Sequence, residues 1–496
     1  MNSATNLNTG RERRSSETRT VQDSPSEQNM KVDMPEKAPQ PASAVPQQPA
    51  LKKFTHNFFD PEVAHLRKIY LSTLAKITVA ITLLIWTALP IYWGSQYHTT
   101  EHKGHYEKLD VLIADYDNNS PISQIVFQTF ASASQGIATP SYVNLPYEEA
   151  IARYPGGPQD LADGVVDHDA WAAVVSSSLT LFSCWFSANN EKKVNPGAYA
   201  SLQNALNGSN TTYEASSALT FYGVEARNNM VYGPILSAVQ KPLTQACVIF
   251  AAQTVRASAA NSATSPQLLV QPIFYTINNL RPYDISIATA LLLVGLILLL
   301  IVAFIFTMAN YGIRQVIAPY LNLRSLVLVR LALPPVLYFI PSLWVSLVSY
   351  AFQVPFDRKF GDSGFLVFWA VNYCAMLALG LATEAMITLT TPQFIAFFLI
   401  FWIVSNVSVA GVPPEIQYRL YHYGFAMPFY NASNAIRTIL FSTKNQVGQN
   451  IGILLVWAFV SCITIPLFQA FMRRFEVRNA KVLEREEKGE LVDGED

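Results

Sequence analysis

Polar residues fill positions 1 to about 50, where Ser, Pro, Gln and Glu dominate and only isolated Val and Met interrupt them. Such a tail cannot bury enough apolar surface to offset the entropy of ordering, so residues 1–50 are expected to be disordered. The first apolar run spans Ile77 to Trp93 and closes on Pro90, Tyr92 and Trp93, where an aromatic belt belongs at a membrane interface. Ahead of it, Asp60 suits an N-cap, Pro61 the first helical position and Glu62 the helix dipole, with Arg67 and Lys68 following. Residues 51–76 therefore predict an interfacial elbow helix, and residues 77–94 the first transmembrane helix.

Residues 95–284 are mostly polar, and hydrophobicity returns at Ile285 to Ala309 with the unbroken run Ala290 to Phe306. That run is long enough for roughly 30 Å of hydrocarbon. Further spans are expected at Leu331 to Phe352, Phe365 to Leu389, Phe394 to Val412 and Ile451 to Met472. The pattern predicts an α-helical polytopic membrane protein with six transmembrane helices, one plus five. An α/β domain (95–284) is inserted after the first helix, a five-helix membrane domain follows (285–472), and a charged tail ends the chain (473–496).

Within the inserted domain, Leu109 to Ala114 reads as a strand, Asp115 to Asn119 as a turn, and Ser120-Pro121 as a helix start. Trp171 to Ser176 and Ala218 to Val224 are further strands, Val231 to Ala257 is a long helix, and Leu268 to Thr276 is expected to return to the membrane as a strand. Asn195-Pro196 is placed at the start of another helix, which Gly208 ends.

Charge sets the orientation. The stretch Asn310 to Arg330 holds Arg314, Arg324 and Arg330 with no acid, and Arg473, Arg474, Arg478 and Lys481 follow the last span. The positive-inside rule puts both segments, and hence both termini, in the cytosol, leaving the inserted domain extracellular or luminal. The sequons at Asn118, Asn207, Asn210 and Asn431 fall in outer segments and are expected to be glycosylated, while Asn406 lies in a span. Arg419, Arg437 and Lys444 in the last outer loop run against the charge rule.

Composition agrees: 51% of residues are hydrophobic and only 14% charged, against about 25% charged in soluble domains. A net charge of -1 excludes a broadly basic nucleic-acid binder, and 4 cysteines exclude a disulfide scaffold. Cys184 and Cys247, both in the outer domain, remain a candidate disulfide. No G-x-S-x-G, H-E-x-x-H or C-x-x-C string occurs, and neither an enzyme nor a cofactor is expected.

Three stretches carry a family resemblance: Val111 to Asp117 with Asp115 and Asp117, Tyr222 to Asn228 with Arg227, and Pro413-Pro414 through Met427-Pro428-Phe429-Tyr430-Asn431 to Ala435-Ile436-Arg437. Together with the one-plus-five layout they resemble the permease part of type-2 ABC exporters, and more closely the fungal nitrosoguanidine-resistance family of membrane proteins. The resemblance implies a permease-like protein that exports or redistributes amphiphilic small molecules or lipids and confers drug or mutagen resistance. It also makes the stretch before the last helix an outer re-entrant region. No G-x-x-x-x-G-K-[ST] string is present, so ATP coupling would need a separate ATPase, and a homo-oligomer is the other expected assembly. The basic loop Asn310 to Arg330 sits where such an ATPase would dock.

Other residues are weighed on their own chemistry. Glu384 is an intramembrane carboxylate among Leu377, Leu379 and Leu381, a candidate proton or substrate site because burying its charge is costly. Pro334, Pro335 and Pro341 interrupt a span and free carbonyls that can line a pathway or merely kink the helix. His98, His102 and His105 have helical spacing for a metal site, weakened by Gly104. Asp115-x-Asp117 is read as a turn and helix cap, and Arg227, beside Glu225, as part of a structural ion pair whose partner the sequence does not identify. Against transport stands a second reading, a membrane scaffold or regulator that acts through its outer domain.

Overall fold

A computed structural model describes residues 57–97, 105–133, 139–176, 197–207, 213–258 and 266–487. The chain divides into two units, Met1–Ser72 and Thr73–Asp496. In the first, Asp60 takes the N-cap position before a turn at Pro61–Val63, but its carboxylate accepts the Asn57 amide at 2.7 Å instead of capping the helix. Helix α1 (Ala64–Tyr97) is continuous across the expected elbow and first span.

In the second unit, β1 (Asp110–Asp115), β2 (Ser141–Leu145), β3 (Ala172–Ser176), β4 (Leu219–Gly223) and β5 (Tyr275–Asn279) form one sheet in the order β2-β1-β3-β4-β5. All neighbouring pairs are parallel except β3 and β4. Alternation along the strands builds two cores, one on each face. Val111, Ile113, Val174 and Phe221 face α2 (Pro121–Ala133), α5 (Ala198–Leu206) and α6 (Asn229–Ser258). Leu112, Ala114, Ala173 and Val175 face α3 (Tyr147–Arg153) and α4 (Pro158–Val166). The expected return strand, Leu268 to Thr276, starts later than expected: Leu268–Val270 lie in a short helix, α7 (Pro266–Val270), and Tyr275 and Thr276 open β5.

Beyond β5, a π-helical turn at Ala290–Val294 leads into α8 (Gly295–Ile317). Then come α9 (Leu323–Ala351), α10 (Asp357–Phe360), α11 (Gly364–Ala410), α12 (Pro428–Phe441) and α13 (Val447–Glu487). Helix α11 covers two of the expected spans. Its Tyr373 hydroxyl bonds the Pro335 carbonyl at 3.0 Å and its Glu384 meets Arg330, so this half runs antiparallel to α9. Arg330 also reaches Gln469 on α13, and Arg473, further along α13, reaches the Leu321 carbonyl. A straight α11 would therefore carry Trp402 past Gln469 toward the end of α13. The Trp402 ring instead lies 5.2 Å from that of Trp457, on the opposite side of Gln469. The chain thus reverses between Glu384 and Trp402, in the stretch holding Pro392, which cannot donate an amide to the helical ladder.

Among the described residues, seven helices are long and apolar enough to cross a membrane: Pro61–Tyr97, Asn229–Ala257, Ala290–Ile317, Leu323–Ala351, Asp357–Thr390, Pro392–Ala410 and Val447–Phe475. The addition to the six expected from sequence is α6, whose Val231, Ile235, Val239 and Leu243 are buried in the sheet's core. Length and hydropathy alone do not separate a spanning helix from one packed on a sheet.

Several contacts tie sheet to bundle. Val412 and Ile416, in the α11–α12 connection, are fully buried in the sheet's core, and the Ile416 carbonyl accepts the His105 amide at 3.2 Å. Where β5 leaves the sheet, Arg281 donates through Nε to the Ser442 carbonyl (3.1 Å), the Ser442 hydroxyl donates to the Arg358 carbonyl (2.8 Å), and Arg358 grips Asp284 with both Nη atoms (2.8 and 2.9 Å). Within this same unit, the Tyr421 hydroxyl donates to the Ile91 carbonyl at 2.8 Å, and a Cβ on Gly94 would collide with that hydroxyl.

Candidate functional site

The sheet's end, the α11–α12 connection and the start of α13 enclose a cavity of about 320 Å³. Strand β4 stops at Gly223, where a Cβ would run into Tyr232 and Phe221, and the chain turns through Glu225–Arg227. Glu225 fixes this turn: its Oε2 accepts from Asn279 Nδ2 (2.7 Å) and the Tyr283 amide (3.1 Å). Among the described residues Arg227 forms no ion pair, with Glu225 or any other acid, in contrast to the structural ion pair the sequence suggested. Its guanidinium lies 3.6 Å over the Trp171 ring, and Nη1 donates to the Ala170 carbonyl at 2.9 Å. From the bundle side, buried Arg437 of α12 donates to the Ala226 carbonyl of the same turn at 3.0 Å.

The remaining lining is polar. Glu415 follows Pro413-Pro414, and its Oε2 is buried without a hydrogen-bond partner; the same holds for Asn450 Nδ2 on α13 and His168 Nε2. Tyr430 lies within Coulombic reach of Glu415, Arg227 and Arg437. Among the described residues, Arg227 and Arg437 form no direct ion pair with Glu415, so charged groups of both signs line the cavity without touching one another. Burial pushes the Arg227 guanidinium down to about 10 against the pull of Glu415. His168 sits at φ 68° after α4, and burial beside Arg227 and Lys444 pushes it down to about 3. Chemically, the cavity offers fixed donors, one free carboxylate oxygen and a neutral imidazole.

Two of the sequence-derived stretches converge here, since Arg227, Asn431 and Arg437 all line the cavity. Asn431 is not a glycan acceptor as folded: its side chain is 2% exposed, and Nδ2 donates to the Phe425 and Met427 carbonyls at 2.9 and 2.8 Å. The third stretch lies elsewhere. Asp115 is fully buried and accepts from the Asp117 and Asn119 amides (2.7 and 2.6 Å) and from the Ser123 and Ser176 hydroxyls (2.6 and 3.2 Å). Asp117 accepts the Tyr199 amide at 2.9 Å, capping α5, and a Cβ on Gly197 would strike its Oδ1. The pair is a turn-and-cap device with its oxygens in use.

Glu384 has different surroundings from those its apolar sequence neighbours implied. Arg314 Nη1 and Arg330 Nε donate to its Oε1 at 2.7 and 2.9 Å, Arg330 Nη2 to its main-chain oxygen at 2.5 Å, and Arg330 Nη1 to Gln469 Oε1 at 2.6 Å. All three charged residues are buried. Arg314 and Arg330 thus belong to helices α8 and α9, not to a solvated basic loop, and only Arg324 of the three is exposed. Of the helix-interrupting prolines, Pro334 is buried within α9 and Pro335 lends its carbonyl to Tyr373.

Other candidates are placed as follows. His105 bonds Glu107 at 2.8 Å, while His98 and His102 lie outside the described residues; among those described, no group of three or more His, Cys, Asp or Glu is arranged to hold a metal. Cys247 is buried on α6, its thiol pushed up to about 12 by burial; Cys184 lies outside the described residues. Asn118 and Asn207 are exposed, Asn406 is buried, and Asn195, Pro196, Gly208 and Asn210 lie outside the described residues.

Apolar helices and a sheet-bearing domain closing over a polar cavity define an integral membrane protein. Residues 77–463 match the family described as "Protein of unknown function (DUF3533)", and the chain belongs to it. An uncharacterized endoplasmic reticulum membrane protein of Saccharomyces cerevisiae is 25% identical over 448 residues, which cover 84% of this chain and 83% of that protein. No solved structure matches.

Proposed function

We propose that the protein is a permease-like membrane protein that takes an amphiphilic molecule by its polar head in the cavity and exports or redistributes it. The observation that carries this reading is the set of charged groups, Arg227 and Arg437 against Glu415, that line one cavity where the sheet meets the bundle without a direct ion pair between them. In this reading six helices span the membrane, α6 belongs to the sheet domain on the luminal or outer side, and both termini are cytosolic. The sheet-packed face of α6 supports that count. The name of the yeast relative favours the endoplasmic reticulum membrane. Drug or mutagen resistance would follow from moving such amphiphiles, with energy from a separate ATPase or from the amphiphile's own gradient.

The test is transbilayer movement in proteoliposomes, using acyl-chain-labelled lipids and hydrophobic drugs. Faster movement than in protein-free vesicles, slowed by Glu415→Gln at matched incorporation, is expected. Rates equal to those of protein-free vesicles across the panel would sink the transport reading. The second reading, a scaffold acting through its sheet domain, draws on the Glu384 network, which joins α8, α9, α11 and α13 through Glu384 Oε1 and Gln469, while Glu384 Oε2 is buried without a partner.

A further inference from the structure

The cavity's polar groups are asymmetric in a way that specifies chemistry. Arg227 and Arg437 each spend one Nη1 donor on a main-chain carbonyl, on Ala170 and on Ala226, which fixes the guanidiniums in position. Arginine carries five donors in a rigid fork, so further N–H groups remain for an anion, with geometry matched to phosphate or carboxylate. Opposite in sign, Glu415 keeps Oε2 buried with no donor on it. A buried carboxylate oxygen without a donor is costly, and a ligand N–H is the group that would satisfy it.

Neutralisation by direct contact would have been the simpler solution, yet among the described residues Glu415 is paired with neither arginine. Tyr430, within Coulombic reach of all three, marks them as one cluster. A volume of about 320 Å³ is at the low end of small-molecule sites, roughly 300–1,000 Å³, and takes a head group but not acyl chains.

We infer that the cavity binds a zwitterion, with its phosphate or carboxylate on Arg227 and Arg437 and its protonated amine on Glu415. This deepens the amphiphile reading and rests on it for the location of the site. The same chemistry is carried by an aminophospholipid head and by a free zwitterion, and the two differ in whether acyl chains add affinity.

Binding to the full-length protein in detergent micelles is measured by calorimetry with three probes: dihexanoyl phosphatidylethanolamine, its N-acetylated derivative, and chain-free glycerophosphoethanolamine. The wild-type protein is expected to prefer the free amine over the N-acetylated lipid by about tenfold, the loss of one charge-assisted contact. Glu415→Gln, nearly isosteric, is expected to abolish that preference by lowering the free-amine lipid's affinity relative to that of the N-acetylated lipid. Equal wild-type affinity for the two lipids, binding of neither, or a preference that survives in a folded Glu415→Gln protein would overturn the inference. The wild-type comparison decides the matter even if the variant does not fold. Chain-free probe binding as tightly as the lipid identifies a free zwitterion, and weaker binding identifies a lipid; both support the class. Selective binding without transbilayer movement would count against the transport reading alone, and movement without amine selectivity against the zwitterion alone.

Discussion

Arg330 holds Glu384 at two points, with Nε 2.9 Å from the carboxylate and Nη2 on the main-chain oxygen of the same residue. Bonding both ends of one residue fixes the rotation of α11 against α9 at that level. Glu384→Gln would leave Arg314 and Arg330 buried without a counter-charge, a change that typically costs about 3–5 kcal/mol. The expected outcome is a lower melting temperature and reduced abundance, measured by fluorescence-detected gel filtration after heating. Unchanged melting would show that the network is not structural.

Gly197 admits the Asp117 carboxylate to the first turn of α5. Gly197→Ala forces that carboxylate aside and is expected to cost about 1–3 kcal/mol, the range for an overpacked site. Asp117→Asn keeps the shape and the acceptor oxygen, so it should cost less. Thermal unfolding of the two variants side by side tests the order.

His168 is neutral when folded, because burial and the positive charges of Arg227 and Lys444 hold its pKa near 3 against an ordinary 6.5. The unfolded chain therefore binds one more proton between those values, and stability falls as pH drops through that window. The slope from this residue is at most about 1.4 kcal/mol per pH unit. His168→Gln is expected to flatten it in pH-dependent melting curves, and an unchanged slope would place the acid sensitivity elsewhere.

If the sheet domain is luminal, exposed Asn118 and Asn207 are open to glycosylation, whereas buried Asn406 and Asn431 are not. Asn118→Gln and Asn207→Gln should each shift the mobility of the native protein toward its glycosidase-treated form. Asn431→Gln should leave mobility unchanged. A shift with Asn431→Gln alone would contradict both the burial and the expected pattern.

Much of the architecture is legible in the sequence because membrane helices and buried strands announce themselves by continuous hydrophobicity. Strands β1, β3 and β4 are wholly or mostly buried, and their apolar runs mark them. Strand β2, Ser-Tyr-Val-Asn-Leu, buries only its last residue and gives no such signal. The roles of Arg314 and Arg330 were hidden because their partner Glu384 lies far along the chain and the positive-inside rule reads arginines as loop residues. Arg227, Asn431 and Arg437 stood out, but their shared cavity is a tertiary fact. Glu415, a lone acid between an apolar span and Arg437, was the available hint that the loop's arginines have company. Nothing in the sequence pointed to His168 or Asn450.

Between Thr73 and Tyr97, α1 buries only Ala88 and Ser95, while Leu83, Trp86 and Trp93 stand more than half exposed. One of its contacts is the Tyr421 hydroxyl on the Ile91 carbonyl beside Gly94. Along this helix, natural variation should therefore be nearly free among apolar residues of any shape, because lipid conforms to whatever is presented. At Gly94 the same drift meets a limit: a methyl group there would press on the Tyr421 hydroxyl, which would have to shift from its place on the Ile91 carbonyl.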